Sequence, residues 1–270
     1  MSVVDIPAVR RPQQKWILFN MEAPPHSRFH GMAFMSGMFN WTMTYRADSD
    51  VVTKYGSVLR TGKSTFSKKQ LYSEWKKKSK MAVWMVSNCA SHCRREEYVK
   101  ELEKYIDVEI YGLCGRATCP ENKTDECLEN FSKKFFFYLS FENSICDGYI
   151  TEKFYMILKH NMIPVVFGGG NYSAIAPPNS YINVFDFSSP KTLSSHLMKV
   201  ATNFTLYSTY FKWKRNRYDI QAVPSDCSLC EKLHSDSFFD TTVYSDLDDC
   251  DFFLNGSNVI FSFSVIAVCC

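Results

Sequence analysis

From Met81 onward the chain alternates short apolar runs with amphipathic stretches, and this alternation limits what it can fold into more than any other feature. MAVWMVS (81–87) reads as a buried strand. Arg94 to Ile106 reads as an amphipathic helix with Tyr98, Leu102 and Tyr105 on one face, and Asp107 to Tyr111 as a second strand. Cys114, Cys119 and Cys127 fall in an expected loop. Phe135 to Phe141 is a third strand, Ile150 to His160 a helix, and Met162 to Phe167 a fourth strand closed by Gly168-Gly169-Gly170. Ile182 to Phe185 reads as a short strand, and Pro190 to Thr202 and Thr205 to Trp213 as helices, the first with proline at its start. Strands separated by helices predict an α/β fold with a parallel sheet flanked by helices. In such sheets ligands bind beyond the carboxyl ends of the strands.

The remainder of the chain is less regular. KWILFN (15–20) reads as a strand followed by a turn from Met21 to Ser27, which places Glu22 just past a strand end. The next stretch, rich in methionine and aromatics, reads as packed loop and strand. Thr61 to Lys80 is polar and basic, as expected of a linker at a domain boundary, with Lys76, Lys77 and Lys78 on a solvated surface. From Ser235 the chain is acidic, then apolar, without usable periodicity, and is expected to stand outside the fold. These shifts predict three parts: 1–75, 76–234 and an atypical tail, 235–270.

A net charge of +3 is too small to indicate a nucleic-acid partner. The 11 cysteines are many for a cytosolic enzyme, and Cys227-Ser228-Leu229-Cys230 reads either as half of a zinc site, with no second CxxC following at zinc spacing, or as part of a disulfide framework. Glycosylation acceptors occur at Asn40, Asn122, Asn130, Asn171, Asn203 and Asn255. Cysteines and sequons together point to an oxidising secretory compartment. Residues 1–20 lack the apolar core of a signal peptide, and no stretch reaches the ~20 apolar residues that span a bilayer. A fragment of a longer, membrane-anchored protein is the expectation that reconciles these features.

Chemistry concentrates in FYLSFENSICDGYITEKFY (137–155), where a buried strand passes through a polar turn to a helix start. Glu142 to Gly148 would occupy the ligand-binding end of the strand, with Thr151 at the helix start and Lys153 in its first turn. Unpaired N–H groups and a lysine there would attract an anion, a diphosphate above all. Capping and surface charge account for a Thr-Glu-Lys helix start equally well. Arg94 and Arg95 open the helix after the first strand of this half, and either reach the same crevice or sit as exposed helix charges. Asp48-Ser49-Asp50 matches the short DxD pattern of metal-dependent sugar transferases. Gly168–Gly170 has no following Lys-Ser/Thr and reads as a turn.

These residues resemble a known family. A Phe-Glu-Asn-Ser segment followed by Tyr-Ile-Thr-Glu-Lys is similar to the signature of the α1,3-fucosyltransferases, glycosyltransferase family ten. The resemblance extends over QKWILFNMEAPPHS, FNWTMTYRADSD, AVWMVSNC, Ile163 to Phe167 and YSTYFKWK, from about Pro12 to His234. It implies a GT-B fold of two Rossmann-like domains, the N-terminal one incomplete here, with the acceptor held by the first and GDP-fucose by the second. It implies inversion at the sugar's anomeric carbon, a glycoprotein or oligosaccharide acceptor, no required metal, and no DxD role for Asp48 and Asp50. By motif position Glu22 resembles the general base, and Arg95, Asn143, Tyr149, Glu152 and Lys153 resemble the donor-binding residues. An attacking hydroxyl needs a carboxylate within reach, and departing GDP needs cations where charge develops. Glu152 would hold the fucose hydroxyls or balance an oxocarbenium-like transition state.

The resemblance further implies a Golgi membrane enzyme of type II topology with a lumenal catalytic domain, and disulfides from the carboxyl-end CxxC to the amino-terminal domain. Before the segment matching Pro12 the family carries an anchor, a stem and further strands, and after His234 a different ending. The alternative expectation is therefore a catalytically inactive, truncated nucleotide-sugar-binding protein.

Overall fold

The computed structural model describes residues 9–11, 14–27, 35–60, 66–216, 218–221, 225–235 and 264–268. In chain order its elements begin with β1 (Lys15–Asn20), β2 (Trp41–Thr44), β3 (Val51–Val52), β4 (Ser57–Arg60), α1 (Lys68–Lys77), β5 (Lys80–Met85), α2 (Arg95–Leu102), β6 (Val108–Tyr111), α3 (Thr124–Lys134) and β7 (Phe135–Phe141). They continue with α4 (Glu152–Leu158), β8 (Ile163–Phe167), α5 (Tyr172–Ile175), β9 (Ile182–Asn183), α6 (Pro190–Thr202), α7 (Phe204–Thr209), β10 (Tyr218–Gln221), α8 (Ser225–Leu233) and β11 (Ser264–Val268).

The chain divides into two compact units. One comprises Met1–Tyr55, Cys146–Tyr149 and Val223–Cys270, the other Gly56–Ile145 and Ile150–Ala222. In the first unit a sheet runs in the order β11-β1-β2-β3, with β1, β2 and β3 parallel and β11 antiparallel to β1. Ile17, Trp41, Met43 and Val51 form its buried centre, and Leu229 and Leu233 of α8 pack against them. The stretch expected to stand outside the fold thus contributes a strand whose backbone pairs Lys15 with Val268 and Phe19 with Ser264.

In the second unit five parallel strands run in the order β6-β5-β7-β8-β9, as the alternation predicts. Ala82, Trp84, Phe137, Leu139 and Phe141 face one layer that includes Leu71, Leu102, Leu193, Leu197 and Tyr207. Val83 and Tyr138 face the other, with Leu128, Phe131 and Ile157. Covering on both faces is why these strands read as unbroken apolar runs. Emptying one such position, Phe137→Ala for instance, costs about 3–5 kcal/mol. The antiparallel pair β4–β10 stands apart from this sheet.

Three sequence expectations need correction. The basic stretch expected as a linker contains α1, because Leu71 and Trp75 stand one turn apart: Leu71 is buried and the Trp75 indole donates to Ala201 O at 2.9 Å. Lys78 is buried rather than solvated, and its ammonium donates to the carbonyls of Ser132 and Phe135. Cys127 lies in α3 and not in a loop. Leu128 and Phe131 bury that helix, which has Asp125 and Glu126 in its first turn and Lys133 and Lys134 in its last, complementing the dipole. It passes into β7 with no intervening turn residue, so no local signal separates the two elements.

Candidate active site

Glu22 follows β1 in a turn pinned by its neighbours. Asn20 Oδ1 accepts from the Glu22 N–H at 2.9 Å, Asn20 Nδ2 donates to Ser27 Oγ at 2.6 Å, and Ser27 Oγ donates to Glu22 O and Ala23 O at 3.0 and 2.9 Å. The backbone is held while the side chain stays exposed. In the same unit the Tyr149 hydroxyl donates to Glu22 Oε2 at 3.3 Å. Tyr149 is 2% exposed, with ring centroids 5.0 Å from Tyr45 and 6.2 Å from Tyr55, and Gly148 precedes it at φ +70°. Only glycine takes that φ without strain. Tyr55 closes the cluster by donating its hydroxyl to Met21 O.

In the second unit β7 ends at Phe141, and the next residue, Glu142, is fully buried. Its N–H continues the ladder to Phe167 O at 2.9 Å. Its carboxylate accepts the Thr151 N–H at 2.8 Å, and Thr151 Oγ1 lies 3.0 and 2.9 Å from its two oxygens. Thr151 is the N-cap of α4 but makes no side-chain cap bond, because Glu142 takes its hydroxyl. Of the N–H groups at this helix start, that of Thr151 is therefore taken by the chain's own carboxylate.

The Lys153 ammonium lies 2.9 Å from Thr151 Oγ1, 3.0 Å from Glu152 Oε1 and 3.5 Å from Glu142 Oε2. Burial pulls its pKa down, but Glu142 and Glu152 outweigh that and hold it above the ordinary lysine value. Burial pushes the Glu142 carboxyl above the usual carboxylate range, against the opposing pull of Lys153 and the Thr151 bonds.

Arg95, Asn143, Glu152 and Lys153 line one cavity of about 800 Å³ beyond the carboxyl ends of β5, β6 and β7. Arg95 is 3% exposed, and its guanidinium donates to Phe141 O at 2.6 Å and Asn88 O at 3.1 Å, tying the ends of β7 and β5 together. Arg94, in the left-handed region at φ 56°, makes the sharp entry to α2 and pairs with Glu97 outside. Of the two arginines, Arg95 therefore reaches the crevice and Arg94 has the surface role. Asn143 Oδ1 is buried with no hydrogen-bond partner among the described residues, a polar atom for which a ligand would provide one. Lys123 also lines the cavity and was not expected from the sequence, since it precedes a helix that local pattern does not reveal. The lining sets Arg95, Lys123 and Lys153 against Asp125, Glu126 and Glu152. Glu22 and Tyr149 are absent from this lining and belong to the first unit.

Two disulfides, invisible in spacing alone, brace this end of the sheet. Cys89–Cys114 joins the loops after β5 and β6, and Cys119–Cys127 joins the cavity wall to α3. Cys227 and Cys230, expected to form disulfides to the amino-terminal domain, are free and exposed on α8. Asp48 is engaged by Arg46, and Asp50 accepts from Thr42 N at 2.8 Å. No group of three metal-ligating side chains occurs among the described residues, and no described helix is long and apolar enough to cross a membrane. Of the sequon asparagines, Asn122, Asn130, Asn171 and Asn203 are exposed. Asn40 is buried, with Oδ1 accepting from Trp16 N at 3.0 Å. Asn255 lies outside the described residues.

The profile for glycosyltransferase family 10 (fucosyltransferase), C-terminal, matches residues 75–250, and that for fucosyltransferase, N-terminal, matches residues 1–56. Alpha-(1,3)-fucosyltransferase C of Drosophila melanogaster is 37% identical over 259 residues, covering 90% of this chain and 60% of its own length. Glycoprotein 3-alpha-L-fucosyltransferase A of the same organism is 37% identical over 248 residues, covering 89% of this chain and 48% of its own length. The chain thus spans between about half and three-fifths of these relatives. The crystal structure of an α1,3-fucosyltransferase with GDP-fucose superposes with a TM-score of 0.56 at 18% identity, covering 86% of this chain and 77% of that one. That likeness shows the fold, which is of the GT-B type. With both profiles matched in order along the chain, this protein belongs to glycosyltransferase family 10, the fucosyltransferases.

Proposed function

We propose that this protein transfers fucose from GDP-fucose, with inversion, in α1,3 linkage to GlcNAc of glycoprotein glycans. The observation that carries the donor half is the gathering of Arg95, Asn143, Glu152 and Lys153 around one cavity at the carboxyl ends of parallel strands. A diphosphate there would meet a guanidinium and an ammonium, groups that stabilise charge developing on a leaving nucleotide, while the unsatisfied Asn143 Oδ1 would accept from a sugar hydroxyl or base N–H. Glu22, exposed at the end of β1 on a fixed backbone, is suited to take the acceptor hydroxyl's proton. The Drosophila relatives carry α1,3-fucosyltransferase names, and one of those names specifies a glycoprotein acceptor. Two disulfides and four exposed sequons fit a lumenal site of action in the Golgi.

The test is transfer from GDP-fucose to a GlcNAc-terminated glycopeptide. Fucosylated product is expected, with Glu22→Gln lowering turnover on the order of 10²- to 10⁴-fold while leaving GDP affinity intact. Equal losses of turnover and GDP affinity would remove Glu22 from the role of base. GDP binding without any transfer would mark the chain as a nucleotide-sugar-binding protein instead.

A further inference from the structure

We infer that Glu142 is a positioning residue for the nucleotide, supplying the buried negative charge that keeps the Lys153 ammonium in place at the cavity wall. This rests on the donor site proposed above and deepens it. Glu142 is fully buried and not among the cavity-lining residues, so its carboxylate is a fixed part of the protein that a ligand does not displace. A carboxylate is costly to bury, and a well-packed apolar side chain would serve stability as well or better. Here the charge is fully engaged: both oxygens face Thr151 Oγ1, one also accepts the Thr151 N–H, and Oε2 lies 3.5 Å from Lys153 Nζ.

The surroundings are built to the same end. Ser140 Oγ donates to Lys153 O at 2.9 Å, fixing the backbone from which the lysine extends. Gly168 leaves room for the carboxylate, since a Cβ there would stand 3.0 Å from Glu142 Cγ. Glu152, the other anion at Lys153, is about half exposed and lines the cavity, so water and ligand compete for it. Glu142 alone of the two is sheltered from that exchange.

The groups facing Lys153 are Glu142 after β7, Glu152 and Thr151 at the start of α4, and Arg95 of α2, whose charge pulls the ammonium down. Tyr138, Tyr155 and Tyr172 face the carboxylates, and burial pushes all three phenols up, so they stay neutral through the pH range used below. Without Glu142, burial and Arg95 act on Lys153 against Glu152 alone, and the ammonium sheds its proton at lower pH.

Calorimetric titration of the full chain with GDP, at neutral pH and near pH 9, tests this. The parent affinity is expected to differ less than about twofold between the two conditions, whereas Glu142→Gln loses on the order of tenfold more at the higher pH. Combining Glu142→Gln with Lys153→Met should be no weaker than Lys153→Met alone, because the first acts through the second. A loss in Glu142→Gln equal at both pH values, or losses that add in the double variant, would overturn the inference while leaving the donor site standing. If Lys153→Met itself binds GDP like the parent, the donor-site proposal fails as well. Should Glu142→Gln not fold, Glu142→Asp keeps the charge and should retain the parent's flat pH profile, and a steep profile in that variant counts against the inference.

Discussion

The Tyr149 hydroxyl donates to Glu22 Oε2 at 3.3 Å, joining a residue expected to contact the donor to the residue expected to act as base. The hydrogen bond fixes the direction of the carboxylate, and the tyrosine ring is itself held by Tyr45 and Tyr55. Tyr149→Phe keeps the ring and removes the hydroxyl that donates to Glu22. Turnover should fall about tenfold with GDP affinity changed less than about twofold, read by comparing steady-state transfer with calorimetry. A larger loss in GDP affinity than in turnover would instead support the donor-binding role expected of Tyr149.

Cys89–Cys114 closes a 25-residue separation between the loops that follow β5 and β6. In the chain-entropy treatment its removal costs about 3.5 kcal/mol, and that of Cys119–Cys127, across 8 residues, about 2.5 kcal/mol. Urea unfolding of the Cys89→Ser/Cys114→Ser and Cys119→Ser/Cys127→Ser variants should show losses in that order. Both variants should also weaken GDP binding, since the bridges brace the cavity rim.

In the second unit Lys78 is buried and donates to Ser132 O and Phe135 O, and Lys214 is half-buried and donates to His160 O and Asn161 Oδ1. Burial pulls both ammonium groups down to about 7, with Glu74 opposing. Their folded pKa values lie below the unfolded value of 10.5. Between those limits the unfolded chain binds more protons, so the contribution of each lysine to stability rises with pH from about 7 to 10.5 and is lost as pH falls back. The slope approaches about 1.4 kcal/mol per pH unit per lysine. Chemical denaturation across this window should show it, and Lys78→Met and Lys214→Met should each flatten it.

Gly168 opens the triple-glycine run after β8, and a Cβ there would stand 2.8 Å from the Tyr172 hydroxyl as well as 3.0 Å from Glu142 Cγ. Both neighbours are buried, so neither can swing clear without cost. Gly168→Ala should destabilise the protein by about 1–3 kcal/mol, measured by denaturant unfolding, and should weaken GDP binding by displacing Glu142.

The parallel sheet of the second unit was legible because its strands are covered on both faces and therefore spell continuous apolar runs, as in Phe135–Phe141 and Ile163–Phe167. The helices after β5, β7 and β9 showed through their period. Where an element met its neighbour without turn chemistry, as α3 meets β7, or buried little of its surface, as α1 does at Leu71 and Trp75, local pattern did not reveal it.

At the site, the residue types of the Glu142–Lys153 stretch announced anion chemistry, and their order matched a family signature. Which charges are free for a ligand is a different matter, because it depends on burial and on partners distant in sequence. Glu142 lies nine residues before Thr151 and takes that residue's N–H, so one donor of the helix start that sequence offered to a diphosphate is already engaged. The cysteine pairs likewise depend on loops brought together by adjacent strands. Sequence by itself determined the strand and helix order and the chemical types at the site. Only the tertiary structure decided which of those charges face inward to hold the protein and which remain for the nucleotide, since burial is a property of the packed layers and not of any local run of residues.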